Sequence, residues 1–291
     1  MLTIYHQSYQ NKANFVIVVL LFQFMKNKVV VITGASSGIG RALAKEFASK
    51  GACLALGARR TELLEELRAE LPETDLLIQK TDVSREDDCH RLIDETIKCF
   101  GRIDVLINNA GISMRAIFEE VDLNVIRQLM DVNFYGTVYC SKYALPHLLK
   151  SRGSLVGVIS IAGYVGLPGR TGYSASKFAI RGFLDTVRIE NLKKGLHVLV
   201  AAPGFTASEV RKFALTRDGS EQGESPRNEN KMMSAEECAR HILRAIEKRK
   251  RELILTFTEG KLTVFLGKFL PSLLDRLTYN HMAKEPNSPL K

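Results

Sequence analysis

The stretch Val29-Val30-Val31-Ile32-Thr33-Gly34-Ala35-Ser36-Ser37-Gly38-Ile39-Gly40 decides how the rest of the chain is read. A continuous β-branched run is suited to a strand covered on both faces, as in a parallel sheet. It ends in three glycines, and the apolar spacing from Arg41 onward is helical. Glycine is needed in such a turn because a close backbone approach leaves no room for a Cβ. The helix that follows then presents free N–H groups to an anion such as a pyrophosphate. The spacing is G-x-x-x-G-x-G rather than G-x-G-x-x-G. A glycine cluster alone is also an ordinary strand-to-helix turn, and the strand and helix around it are what favour a dinucleotide.

Outward from this turn, short β-branched runs alternate with longer helical patterns, the signature of a parallel sheet with crossover helices. Strands are predicted at Val29–Thr33, Cys53–Gly57, Leu76–Gln79, Val105–Asn108, Leu155–Ile159, His197–Ala201 and Leu253–Thr256. Helices are predicted over Arg41–Lys50, Thr61–Leu71, Arg85–Phe100, Leu123–Leu149 and Tyr173–Lys193. Ser84 with Asp87, and Ser234 with Glu237, have the offset of helix N-caps with an acidic partner. The expected fold is α/β: a doubly wound, seven-stranded parallel sheet of Rossmann type, helices on both faces, and a C-terminal helical extension. Residues 25–258 would form the binding and catalytic domain and 259–291 an apolar, basic tail.

Two stretches break the alternation. Ser208–Met233 holds Asp218-Gly219-Ser220, Gly223 and Ser225-Pro226 with few apolar residues, so it reads as a mobile insertion over a cleft. From Lys261 to Ala283, Leu262, Val264, Phe265, Leu266, Phe269, Leu270, Leu273, Leu274 and Leu277 follow helical spacing broken by Pro271. Core or dimer packing is the first reading of this stripe, and contact with a membrane or a lipid-like substrate the second.

With 291 residues, 45% hydrophobic and 25% charged, the chain can bury one large core. Five scattered cysteines without Cys-x-x-Cys spacing argue against a disulfide framework or a zinc site and fit a reducing, cytoplasmic setting. The formal charge is +9, and from Arg240 to Lys291 there are 11 Lys/Arg against 5 Asp/Glu. The run Lys248 to Arg251 falls where a helix should end, which the helix dipole favours; attraction to anionic lipid or a phosphorylated cofactor is the alternative. No nucleic-acid motif accompanies the charge, so the reading is against that partner. Phe15 to Phe22 is an apolar run of eight, far short of a bilayer span. Residues 1–24 are either a short membrane-touching anchor or an extension outside the natural protein. A start at Met25 is the favoured reading.

The chemistry sits further along. Sites that prefer NAD place a carboxylate at the end of the second strand, but here it ends Ala58-Arg59-Arg60, and Arg59 could pair with a 2′-phosphate. The alternative is a pair of solvated arginines opening the next helix. Tyr173 and Lys177 are four apart on a predicted helix, so both side chains emerge on one face. A nearby ammonium favours the phenolate and should bring the phenol down from its ordinary value near 10 toward the working range. The Y-x-x-x-K pair by itself is weak evidence, since any long helix can contain one by chance.

Taken together, these motifs resemble the short-chain dehydrogenase/reductase family in its compact single-domain branch. The resemblance runs from Lys28 to about Leu255. It rests on T-G-A-S-S-G-I-G, Asp82 in T-D-V, Asn108-Asn109-Ala110-Gly111, Asn133, Ser160 in S-x-A-G, Y-S-A-S-K, and Pro203-Gly204-Phe205-Thr206. It implies cofactor contacts from Gly34, Ser36, Ser37, Gly38, Ile39, Gly40, Asp82, Val83, Asn109, Ala110 and Gly111. Pro203, Gly204 and Thr206 would close over the nicotinamide end, and Lys177 would hold the nicotinamide ribose. Ser160 would hydrogen-bond the substrate oxygen, Tyr173 would transfer the proton, and Asn133 would hold a water linking Lys177 to solvent. Donors aimed at the oxygen that gains charge are what carbonyl reduction needs.

Ser37 departs from the basic residue some NADP-preferring members carry there, so the choice of NADP(H) rests on Arg59. The tail resembles the hydroxysteroid-dehydrogenase-like branch. The expected activity is NADP(H)-dependent reduction of an apolar or lipid-like ketone or aldehyde, with oxidation of such an alcohol as the reverse reading. A non-catalytic cofactor-binding regulator is the alternative from another class. The resemblance also implies a homo-oligomer, dimer or tetramer, and the tail is the feature that would bring it to a membrane.

Overall fold

The structure, a computed structural model, describes residues 25–207, 209–223, 232–284 and 288–290. The expectations for Phe15 to Phe22 and for 224–231 of the insertion lie outside the described residues. Seven strands form one sheet: β1 (Val29–Thr33), β2 (Cys53–Ala58), β3 (Leu76–Lys80), β4 (Val105–Asn108), β5 (Ser154–Val158), β6 (His197–Ala202) and β7 (Glu252–Ile254). Their order is β3-β2-β1-β4-β5-β6-β7, every neighbouring pair is parallel, and Val31 is in register with Ala55 on one side and Leu106 on the other. The direction of winding reverses between β1 and β4. A crevice therefore opens beyond the C-terminal ends of those two strands.

Helices cover both faces because alternate strand residues point to opposite sides. Val30, Ile32, Leu54, Leu56, Val105 and Ile107 pack with Leu43 and Phe47 of α1 (Gly38–Ala48), Leu64 and Leu67 of α2 (Thr61–Glu70), and Ile242 and Ile246 of the helix Ala235–Glu247. On the other face Val31, Ala55, Leu106, Leu155 and Val198 meet Leu92 and Ile93 of α3 (Glu86–Phe100). Cys140, Ala144, Leu148, Ile180 and Leu184 complete that layer. The two-sided apolar covering explains why β1 reads as an unbroken apolar run rather than an alternating one.

Several local expectations are corrected. The single helix expected at Leu123–Leu149 is α4 (Leu123–Leu129), a π-helical turn (Met130–Tyr135) and α5 (Gly136–Ser151). A π-turn of this kind is an insertion that spacing does not reveal, and such turns concentrate at functional sites. Helix α6 runs Thr171–Glu190, and a separate 3₁₀ turn, Leu192–Lys194, ends the stretch. Ser84 is not the N-cap of α3. Its N–H and hydroxyl both donate to Asp82 Oδ1, at 3.1 and 2.7 Å, while Asp88 Oδ2 accepts from the Asp82 N–H at 3.0 Å. A local turn captures the serine before the helix can. Ser234 does cap α7 (Ala235–Glu247), accepting from the Glu237 N–H at 3.1 Å.

Within the insertion, Ala214 and Leu215 are buried, and Leu215 is anchored by backbone bonds to Ser113 and Arg115. The basic run is the end of α7: Arg249 donates to the carbonyls of Arg152 and Gly195, and Arg251 faces Asp185 at 3.6 Å. After β7 come a π-helical turn (Phe257–Leu262), α8 (Thr263–Phe269) and α9 (Pro271–Ala283), with Pro271 at the first turn of α9, where its missing N–H costs nothing. Core packing takes only part of the tail. Leu274 and Met282 are buried, whereas Phe257, Phe265, Phe269, Leu270, Leu273 and Leu277 are exposed. Among the described residues no helix is long and apolar enough to cross a membrane.

Candidate active site

Every residue singled out for the site lies beyond the C-terminal ends of β1 to β6 or on the helical segments facing them. Gly34 and Gly38 adopt left-handed backbone, φ +66° and +53°, which a residue with a Cβ resists. A Cβ on Gly40 would stand 2.2 Å from the Gly34 carbonyl oxygen, so helix and turn are in contact through glycine alone. Ser37 occupies the N-cap of α1 without a side-chain cap bond, and no acidic side chain lies in the first turn. Those N–H groups and the positive end of the dipole suit an anion. Behind them, Thr33 Oγ1 accepts from the N–H groups of Asn109 and Ala110 at 3.0 and 3.1 Å. Asn109 Nδ2 donates to the Thr33 and Gly34 carbonyls, and so braces the end of β4 against the glycine turn.

At the end of β3, Val83 is buried and Asp82 is engaged with Ser84. Arg59 is exposed. The neighbouring Arg60 reaches the turn instead, donating from Nη2 to Ser37 Oγ at 3.1 Å. At the end of β6, Thr206 Oγ1 donates to the Gly204 carbonyl at 3.3 Å, and the buried Arg211 donates to the Thr206 carbonyl at 2.7 Å. The glycine cradle and the empty helix-cap position fit a dinucleotide diphosphate, and the absence of a carboxylate after β2 fits a phosphorylated ribose.

The π-turn places Asn133 in a fully buried position. Its Oδ1 accepts from the Ile112 N–H at 2.8 Å, and its Nδ2 donates to the Ile112 carbonyl at 3.0 Å and to Ser176 Oγ at 2.9 Å. Its carbonyl accepts from the Thr137 hydroxyl at 2.8 Å. Asn133 thus clamps the loop segment leaving Gly111 to α6. A Cβ on Gly111 would lie 3.0 Å from Asn133 Oδ1 and 3.3 Å from Lys177 Nζ, so this glycine is what lets both polar ends approach.

On α6, Lys177 is buried, with Nζ 5.7 Å from the centre of the Tyr173 ring. Its ammonium donates to the Val158 carbonyl at the end of β5, at 3.1 Å. Desolvation pulls Lys177 down to about 8. Tyr173 is raised above its usual value by burial, an effect opposed by a hydrogen bond with Ser160 and by the Arg170 and Arg211 guanidinium groups. The expectation that Lys177 brings the phenol down is therefore corrected for the chain by itself. The ammonium is held at the Val158 carbonyl, and burial dominates at the phenol. Ser160 Oγ also accepts from the Ala162 N–H at 3.2 Å, capping the 3₁₀ turn Ile161–Gly163.

The sequence reading missed Thr33, Ser176, Arg60, Arg170 and Arg211. Ser176 had a signal, since it sits inside Y-S-A-S-K; it donates to the Tyr173 carbonyl at 2.8 Å. Arg170 had position, three residues before Tyr173, and its Nη1 donates to Ser113 Oγ at 2.6 Å. Arg211 had none, because its approach to Tyr173 depends on how the insertion folds back.

Comparison with known proteins bears on the family and the fold. The sequence profile of the family described as short chain dehydrogenase matches residues 28–218. The chain is 45% identical over 197 residues to 11-beta-hydroxysteroid dehydrogenase A of Arachis hypogaea, covering 66% of this chain and 56% of that protein's length. It is 40% identical over 268 residues to 11-beta-hydroxysteroid dehydrogenase 1A of Arabidopsis thaliana, covering 87% and 75%. Dehydrogenase/reductase SDR family member 7B of Mus musculus is 35% identical over 272 residues, covering 91% and 84%. Among solved structures, an alcohol dehydrogenase from the archaeon Thermococcus sibiricus complexed with 5-hydroxy-NADP superposes with a TM-score of 0.71 at 27% identity, covering 79% of this chain and 96% of its own. With the fold, the glycine turn and these matches in agreement, the chain belongs to the short-chain dehydrogenase/reductase family of carbonyl and alcohol oxidoreductases.

Proposed function

We propose that this protein is an NADP(H)-dependent reductase of an apolar, lipid-like ketone or aldehyde, with Tyr173 as the proton donor. The observation that carries the reading is the meeting of Ser160, Tyr173, Lys177 and Asn133 near Gly111, beyond the C-terminal ends of β4 and β5. When bound, the nicotinamide supplies hydride to the carbonyl carbon. The chain's own residues deal with the oxygen. Ser160 and Tyr173 donate toward it as negative charge develops, which is where fixed donors lower a barrier most. Burial raises the Tyr173 phenol above its ordinary value, so it is protonated at neutral pH, the state a general acid requires. Lys177 remains mostly protonated at pH 7 because its value is about 8, and it holds positive charge one turn from the phenol. Asn133 fixes the Gly111–Ile112 backbone beside that ammonium.

The tail supports the apolar character of the substrate. Gly267 of α8 packs on Val165, and Pro289 lies against Gly169, so both ends of the tail border the loop joining Ser160 to Tyr173. We assign residues 25–258 to cofactor binding and catalysis and 259–291 to the substrate rim. The exposed Phe257, Phe265, Phe269 and Leu273, interspersed with Lys261, Lys268 and Arg276, suit a peripheral contact with an anionic membrane surface. Tyr173→Phe tests the central claim: turnover should fall by about 10² to 10⁴ while NADPH affinity is retained. Lys177→Ala should lose both. Retention of most turnover in Tyr173→Phe on a verified substrate would sink the assignment, and NADPH binding without any turnover would turn the reading to a regulator.

A further inference from the structure

The glycine turn carries Ser37 where a cation would complete a phosphate site, and the fold brings a cation there from a different strand. Arg60 Nη2 donates to Ser37 Oγ at 3.1 Å. The same nitrogen faces Glu209 Oε2 at 3.7 Å, and the guanidinium lies 5.5 Å from the centre of the Phe213 ring. Glu209 opens a short 3₁₀ turn, Glu209–Arg211, whose last residue is tied to the Thr206 carbonyl. One side chain thus touches both the turn that suits a diphosphate and the segment that follows Thr206.

Arg60 also sits badly as an ordinary surface arginine. It occupies the N-cap of α2 with no side-chain cap bond, next to the positive end of a helix dipole and next to Arg59. An anion arriving at this point relieves both repulsions. Glu209 relieves them only in part, because its side chain and that of Arg60 are 48% and 41% exposed, and solvent weakens such a pair.

We propose that Arg60 is a second cation for the 2′-phosphate of the cofactor and that Glu209 is its internal competitor. Binding of the phosphate then transfers the guanidinium from Glu209 and resets the segment 209–213. The proposal rests on the NADP(H) reading. Arg60 is a specificity residue, and Glu209 and Phe213 act through it as positioning residues.

The test uses 2′,5′-ADP and 5′-AMP, which differ only in the 2′-phosphate and undergo no turnover, titrated calorimetrically against the full chain. The unmodified protein should prefer 2′,5′-ADP. Arg60→Gln should weaken 2′,5′-ADP by about ten-fold or more and 5′-AMP by less than about two-fold, with Arg60→Lys intermediate, since a charge-assisted bond to phosphate is lost. Glu209→Gln should tighten 2′,5′-ADP by roughly two- to five-fold, the size of an exposed ion pair, and leave 5′-AMP unchanged. Tryptic cleavage after Arg211 and Lys212 should change on adding 2′,5′-ADP to the unmodified protein and not to Arg60→Gln. If Arg60→Gln keeps full discrimination while Arg59→Gln loses it, the role of Arg60 is overturned and the NADP(H) reading stands. Equal binding of the two nucleotides by the unmodified protein overturns both. An unchanged 2′,5′-ADP affinity in Glu209→Gln overturns the competition.

Discussion

Lys177→Met replaces a buried ammonium with an apolar side chain of similar length, and its effect on stability should depend on pH in a calculable way. In the folded chain the lysine is 4% exposed and its value falls from 10.5 to about 8. The sign follows from proton binding: between about 8 and 10.5 the unfolded chain holds this proton and the folded chain has lost it, so stability rises with pH across that window. At pH 7 the charged, desolvated lysine therefore costs about 3 kcal/mol relative to strongly alkaline conditions, from a shift of 2.5 units at about 1.36 kcal/mol each. By about pH 9.5, roughly 2 kcal/mol of that penalty should have been removed. The methionine variant lacks the titration but also leaves the Val158 carbonyl without its 3.1 Å bond, a fixed loss of about 1–3 kcal/mol at every pH. Urea unfolding of both proteins without cofactor, at several pH values from 7 to 9.5, separates the two contributions. The stability of the unmodified protein should climb relative to the variant by about 2 kcal/mol as pH rises. A difference that stays constant across the range, or one of opposite slope, refutes a buried ammonium depressed by desolvation.

His197 should act with the same sign in a lower pH window. It is buried, its ring nitrogens meet Ser154 Oγ at 2.9 Å and the Lys250 carbonyl at 2.8 Å, and burial lowers its value below 6.5. The unfolded chain therefore takes up a proton first, and stability falls as pH drops below about 6.5. In His197→Gln the melting temperature should be lower near pH 7.5 but should decline less between pH 7.5 and 5.5; an equal decline in both proteins rejects this. For the tail, the full chain should sediment with vesicles containing anionic lipid and less with neutral ones, and Phe265→Ser with Phe269→Ser should reduce that binding. Equal sedimentation of the paired variant and the unmodified chain would exclude this surface.

Much of the architecture was legible because it repeats. The β-branched runs, the helical spacing between them and the glycine turn each obey a local rule, and the seven strands lie within one or two residues of where those rules put them. Errors arose where a local rule met a competitor of similar strength. Ser84 bonds to Asp82 rather than capping α3, and the helix expected at Leu123–Leu149 carries an extra residue in a π-turn. In the tail, apolar spacing foretold helices but not which of their faces the core would take.

By itself, then, the sequence determined the α/β class, the position of the glycine cradle and the pairing of Tyr173 with Lys177 on one helical face, because each depends on periodicity over a few neighbouring residues. Only the tertiary structure decided which polar groups meet across the sheet. It brought Asn133 to Ile112 and Ser176, Arg60 to Ser37 and Glu209, and Arg170 and Arg211 into electrostatic range of Tyr173. It also decided the protonation of the pair, since the cost of burying Lys177 and Tyr173 depends on packing from elements far away in the chain. Spacing along a chain fixes which face a side chain occupies, whereas desolvation and charge depend on what the rest of the fold places against that face.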